Sequence, residues 1–243
     1  MNKKIIAGLA AGILVLGGGL YWAVGELTGN RVEIESVIAE GPAENNVTEL
    51  AGQTSAGGEG SAEAASAAEP ADVDGTWTIQ PDSKAYFSVT TSRESVNYEM
   101  DQVSGTWTIN SGDPSLTKAD GTVELSSMDS GNAQRDIHIS EAEFMDVAQF
   151  PTAHFTATSF EGMPAEWTDG QVYEVNIRGN LTVKGITKEV AFTGKATVEQ
   201  GQLKLEAGTI VTFEDFGMKN PHNVVVQTEN ELTVELRLIL SKS

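Results

Sequence analysis

Residues 134–155 read QRDIHISEAEFMDVAQFPTAHF and hold the densest set of reactive side chains in the chain. Arg135 and Asp136 are adjacent, His138 and His154 are two of the three histidines, and Asp136, Glu141, Glu143 and Asp146 are carboxylates. Side chains of these types serve acid–base catalysis or metal binding. Their spacing favours neither. Zinc needs three or four converging ligands, but a helical stretch separates the two histidines and His222 stands alone in NPHN. No HExxH, GxSxG or phosphate-binding loop occurs. The chain has no cysteine, which removes thiol catalysis, zinc–thiolate sites and disulfides. The pairs Glu141/Glu143 and Glu214/Asp215 read as solvated faces or caps. We therefore expect no catalytic residue, no metal and no cofactor. Arg135, Asp136 and His138 read as a structural motif in which Arg135 and Asp136 satisfy backbone groups and each other.

The segment itself reads as a helical crossover. SEAE is a capping box, with Ser140 as N-cap and Glu143 reaching back. Phe144 and Val147 share a face, and Pro151 limits the helix. On either side the apolar period is two. Tyr173, Val175, Ile177, Gly179, Leu181 and Val183 fall on one side of YEVNIRGNLTV. Leu203, Leu205, Ala207, Thr209, Val211 and Phe213 do so in LKLEAGTIVTF, and Leu232, Val234, Leu236, Leu238 and Leu240 in ELTVELRLIL. Such alternation predicts half-buried antiparallel strands. Turn signals at Pro81, Ser111, Gly185 and Gly201 separate them. About eight strands fit between Thr76 and Leu240, the number whose closed barrel holds side chains or one small ligand; an open sandwich is the alternative. GTWTI occurs at Gly75 and again at Gly105, and two copies do not make a repeat architecture.

Upstream, Lys3 and Lys4 precede an apolar run over residues 5–24, long enough to cross a bilayer, with Tyr21 and Trp22 at an interfacial position. Residues 1–25 are read as a single-pass anchor with the N-terminus cytoplasmic, or alternatively as a cleaved signal that leaves the protein secreted or periplasmic. Residues 26–74 are rich in Ala, Gly, Ser and Glu and read as a disordered acidic linker, whose part nearest the membrane, RVEIESVIAE, is more apolar and is the stretch that could order locally. Residues 75–243 form the remaining domain. It carries 24 acidic and 12 basic residues, a net −12, which disfavours nucleic acid as a partner.

Three segments then carry a family resemblance. RDIHISEAEFMDVAQFPTAHF resembles the Arg-Asp-x-His…Phe-Pro-x-x-x-Phe signature of the YceI-like family, RGNLTVKGITKEVAF its Gly-x-Leu-Thr hairpin, and FEDFGM its late Phe-Gly-Met element. The match runs from Gly75 to the C-terminus. It departs from many members at the N-terminus, where those have a cleaved signal and this chain is expected to keep an anchor and a long tether. The resemblance implies an all-β, lipocalin-like, eight-stranded antiparallel barrel with a short helical crossover. It also implies a long amphiphile held inside, such as an isoprenoid quinone or polyprenyl lipid. Ligand contacts are expected from Phe87, Trp107, Phe155, Ile177, Leu181, Phe192 and Phe213 on the alternating faces. Phe144, Met145 and Phe216 are expected to contact the ligand near the barrel mouth. Small inward residues, Gly179, Ala207 and Thr209, would leave room for the guest. The expected function is a membrane-tethered, extracytoplasmic, non-catalytic lipid-binding protein. The alternative is a tethered interaction or stress-protective domain with a solid core.

Overall fold

Residues that alternate apolar and polar pair into strands because only that arrangement buries one face and satisfies the backbone. The computed structural model describes residues 29–39, 69–92, 94–220 and 228–243. The apolar run over residues 5–24, most of the linker and His222 lie outside them. Among the described residues no helix is long and apolar enough to cross a membrane.

The strands are β1 (Pro70–Ala71), β2 (Gly75–Ile79), β3 (Lys84–Thr91), β4 (Ser95–Met100), β5 (Val103–Ile109), β6 (Lys118–Glu124), β7 (Met128–Asp129), β8 (Thr152–Glu161), β9 (Trp167–Thr168), β10 (Val172–Val183), β11 (Ile186–Glu199), β12 (Gln202–Thr212) and β13 (Thr228–Lys242). β2 and β3 pair with successive stretches of β13, and their partners β5 and β4 form a second bent stave. With β6, β8, β10, β11 and β12 these make eight antiparallel staves, closed into a barrel by the β12–β13 pairing. Where β2 gives way to β3, the fully buried Ser83 side chain accepts from the Ile239 amide at 2.9 Å and donates to its carbonyl at 3.1 Å, so the ladder survives the bend. The tight turns at Lys184–Gly185 and Gln200–Gly201 have positive φ at both central residues, as two-residue hairpins of matching twist require.

One end of the barrel is covered by the crossover of residues 125–151 and by residues 213–220; we call it the roofed end. The crossover contains one α-helix, α1 (Ala133–Ile139), about two turns earlier than SEAE suggests. Asn132 is its N-cap, accepting from the Gln134 and Arg135 amides at 3.1 and 3.3 Å. Ser140 is its C-cap, and the Ser140 hydroxyl donates to the Asp136 carbonyl. The capping box does not form because Ser140 ends α1 and its hydroxyl is engaged with the Asp136 carbonyl; beyond it Phe144 and Met145 are both buried. The chain instead proceeds in turns, with Asp146 at φ 50°.

Parts of the segment read as linker are described, among them most of RVEIESVIAE. Residues 29–39 form a strap down the outside of the barrel. At the roofed end the Glu94 carboxylate accepts from the Gly29 and Asn30 amides, and Asn97 donates its backbone amide to Asn30 Oδ1 and its side-chain amide to the Val32 carbonyl. Lower down, Arg237 donates to the Glu35 carbonyl, and Glu206 Oε1 accepts from Ser36 Oγ, Val37 N and Ile38 N at 2.5–2.8 Å. Ile38 is 8% exposed. Val73, also inside the expected linker, is a core residue whose carbonyl accepts from the Trp77 indole at 2.7 Å. Alternation could not reveal the strap, since it crosses strands by side-chain and amide contacts and never joins a ladder.

Candidate functional site

The inward faces of the staves enclose a cavity of about 120 Å³. Trp107, Ile177 and Leu205 line it toward the end opposite the roof, while Leu125, Met145, Val183, Phe216 and Met218 line it at the roof. No Asp, Glu, Lys or Arg lines it; Thr122 and His154 are the polar rim, joined by a 3.0 Å hydrogen bond. A cavity with apolar walls stays dry and takes an apolar guest. Inward residues around it, including Phe155, Val183, Val234 and Leu236, remain only partly buried. They face space that no other side chain fills. The buried Trp77, Trp107 and Trp167 pack toward the far end.

Of the residues expected to touch a ligand, Phe87, Trp107, Met145, Phe155, Ile177, Leu181, Phe192 and Phe216 line this cavity. Phe155 and Phe192 meet edge to face at 5.2 Å, and Phe87 stacks on Tyr98 at 4.3 Å. Phe144 and Phe213 do not line it. The Phe144 ring packs edge-on to His138 at 4.7 Å. Phe213 follows the last residue of β12 and turns into helical geometry (φ −55°, ψ −40°), so the alternation that placed it on the cavity face has ended. The small residues also need correction. The Phe155 ring already fills the space over Gly179, and Ala207 is buried without lining the cavity. Gly121 supplies the room instead: no atom lies within 4 Å of where its Cβ would be.

Other lining residues escaped the sequence reading. Leu232, Leu236 and Leu238 belong to an alternating run and were within reach of it. Met100 and Val103 were not, because the bend between β4 and β5 breaks the period between them. Met218 stands in the FEDFGM segment, whose turn geometry has no period to read.

The roof is held by two lysines. Lys184 Nζ, at the β10–β11 turn, donates to the Ala142 and Phe144 carbonyls at 2.7 and 2.8 Å. Lys219 Nζ pairs with Glu143 at 2.9 Å, which holds the Glu143 carboxyl below its usual range. Methionines at 145 and 218 give the roof unbranched, adaptable side chains.

Arg135, Asp136 and His138 lie on α1, outside the cavity. Asp136 Oδ1 accepts from the Ser130 amide and hydroxyl, and Arg135 Nη2 donates to the Gly29 carbonyl at 3.0 Å. Each satisfies groups other than its neighbour, contrary to the mutual pairing expected. Among the described residues Arg135 Nε and Nη1 are buried and meet no hydrogen-bond partner. His138 faces Glu141 at 3.3 Å, whereas His154 bonds Thr122 and Thr152. Among the described residues no group of His, Asp or Glu side chains is placed to hold a metal ion. Burial raises the Tyr98 phenol well above its usual range, with the nearby Arg135 opposing and Asp136 adding to the rise.

The arrangement can enclose an uncharged chain. In sequence, the chain is 41% identical over 91 residues to Protein YceI of Salmonella arizonae, and equally to that of Salmonella newport. That match spans 37% of this chain and 44% of the relatives' length. In fold, it is similar to BcnA of Burkholderia cenocepacia (TM-score 0.56, 15% identity, 65% of this chain and 95% of that one). It is likewise similar to a polyisoprenoid-binding domain from Saccharophagus degradans implicated in plant cell wall breakdown (TM-score 0.56, 12% identity, 69% and 98%). The model of the YceI-like domain matches residues 77–238, most of the chain and nearly all of the barrel, and the chain belongs to that family.

Proposed function

We propose that this chain is a non-catalytic lipid-binding protein that holds an isoprenoid-type or other long-chain amphiphile in its barrel. The observation that carries the reading is the cavity wall, which is free of charged side chains and roofed by methionines. Burial of each methylene in such surroundings is worth about 0.8 kcal/mol, so apolar contact alone can hold a chain. The likeness to a polyisoprenoid-binding domain supports the ligand class. The apolar run over residues 5–24, behind two lysines, supports attachment to a membrane with the barrel on its outer side. Mass spectrometry of organic extracts from the purified protein tests the reading. One lipid per chain is expected; a chain that never carries lipid would leave the alternative of a solid barrel that works through its acidic surface.

A further inference from the structure

The strap fixes more than the barrel wall. Its first described residue, Gly29, lies at the roofed end, where Glu94 takes its amide and Arg135 takes its carbonyl. Arg31 adds a bond to the Gly131 carbonyl, just before α1. The strap then descends past Asn97, Lys84 and Arg237 to Glu206. The long acidic stretch between residues 39 and 69 therefore follows the strap, and the tether that precedes the barrel is short. Val24, the end of the apolar run, is five Cα–Cα steps from Gly29, a span of at most about 18 Å.

Resting on the membrane attachment proposed above, we infer that the strap presents the roofed end of the barrel to the bilayer, so that a lipid passes between membrane and cavity through that end. Three observations converge on this. The first described residue of the strap, Gly29, is held at the roofed end by Glu94 and Arg135. The roof carries the adaptable lining residues Met145 and Met218, whereas the bulky, buried Trp77, Trp107 and Trp167 pack toward the opposite end. The domain is acidic, so anionic headgroups would repel it and its orientation must come from covalent reach. The partner is the bilayer itself, approached by one end of the barrel.

The absence of cysteine makes the test clean. Ile186 at the roofed end and Val172 at the far end of the same hairpin are both exposed. They stand about 36 Å apart along the strand, or roughly 28 Å along the barrel axis at usual strand tilt. Ile186→Cys and Val172→Cys chains, each carrying one donor dye, are reconstituted at full length into phosphatidylcholine vesicles with a trace of headgroup-labelled acceptor lipid. Energy transfer is expected to be several-fold stronger from residue 186. Inserting about twenty Gly/Ser residues between Thr28 and Gly29 adds roughly 25 Å of reach and should bring the two labels to similar transfer. Equal transfer in the original chain, or stronger transfer from residue 172, would overturn the inference while leaving attachment intact. An insertion that leaves the contrast unchanged would remove the strap from the explanation. A chain that stays off the vesicles, with no transfer from either label, would sink the attachment reading and this inference with it.

Discussion

The Phe155 ring occupies the space over Gly179: its Cζ lies 2.5 Å from where a Cβ on residue 179 would stand. The two residues belong to adjacent staves, and β8 slips register against β10 at Arg178/Gly179 to let the ring in. Gly179→Ala should therefore cost about 1–3 kcal/mol, as overpacking does, measured by urea denaturation.

Gly121 is the opposite case. It faces Phe155 directly across β6 and β8, yet open space surrounds its Cβ position. Gly121→Leu should change stability by less than about 1.5 kcal/mol and eject the bound lipid, since the new side chain takes the guest's place. Denaturation and lipid extraction on the same variant check both halves. A strongly destabilised variant would mean that the barrel has no room there.

The strap should contribute measurably to stability. A chain beginning at Glu69 loses the burial of Ile38, worth about 1.5–3 kcal/mol for a whole side chain, and should unfold at lower urea than one beginning at Glu26. Equal midpoints would show that the strap only rests on the barrel.

That contribution should depend on acid. Burial pushes the Glu206 carboxyl up, but the Ser36 hydroxyl and the Ile38 and Val37 amides, with Arg237 nearby, outweigh it and hold the group below the ordinary glutamate value of 4.5. A depressed carboxyl stabilises above its unfolded pKa and loses that effect as pH falls through the folded one. The gap between the two chains should thus be constant near neutrality and shrink below about pH 4.5. Glu206→Gln should narrow the gap and flatten its pH dependence.

Lys184→Met removes two hydrogen bonds from the roof while keeping most of the side-chain stem. A cost of about 1–2 kcal/mol is expected, with faster release of a fluorescent lipid in stopped flow. Unchanged release would mean that the roof is not the exit.

Much of the barrel was legible because its inward residues repeat at a period of two, as Val175, Ile177 and Leu181 do. The sequence reading failed where that period stops carrying information. Ser140 looked like an N-cap by local pattern, yet it closes the helix before it, with its hydroxyl on the Asp136 carbonyl. Phe213 continued an alternation whose strand had already ended. Gly179 looked like spare room because composition records a missing side chain and not the neighbour that fills its place. The strap was hidden for a related reason: Glu206 meets Ser36 across most of the chain, and nothing local to either residue announces the other.

β13 holds the C-terminal stave of the ring, between β12 on one side and β2 and β3 on the other. A polypeptide emerging N-terminus first therefore carries an open, curling sheet until its final residues appear. Throughout that interval two strand edges are unpaired and the apolar face is uncovered, the condition under which sheets join to strangers. The lower part of the strap, made early, needs Glu206 and Arg237 and cannot seat until they emerge. For this chain the most exposed interval is emergence, before the last stave arrives.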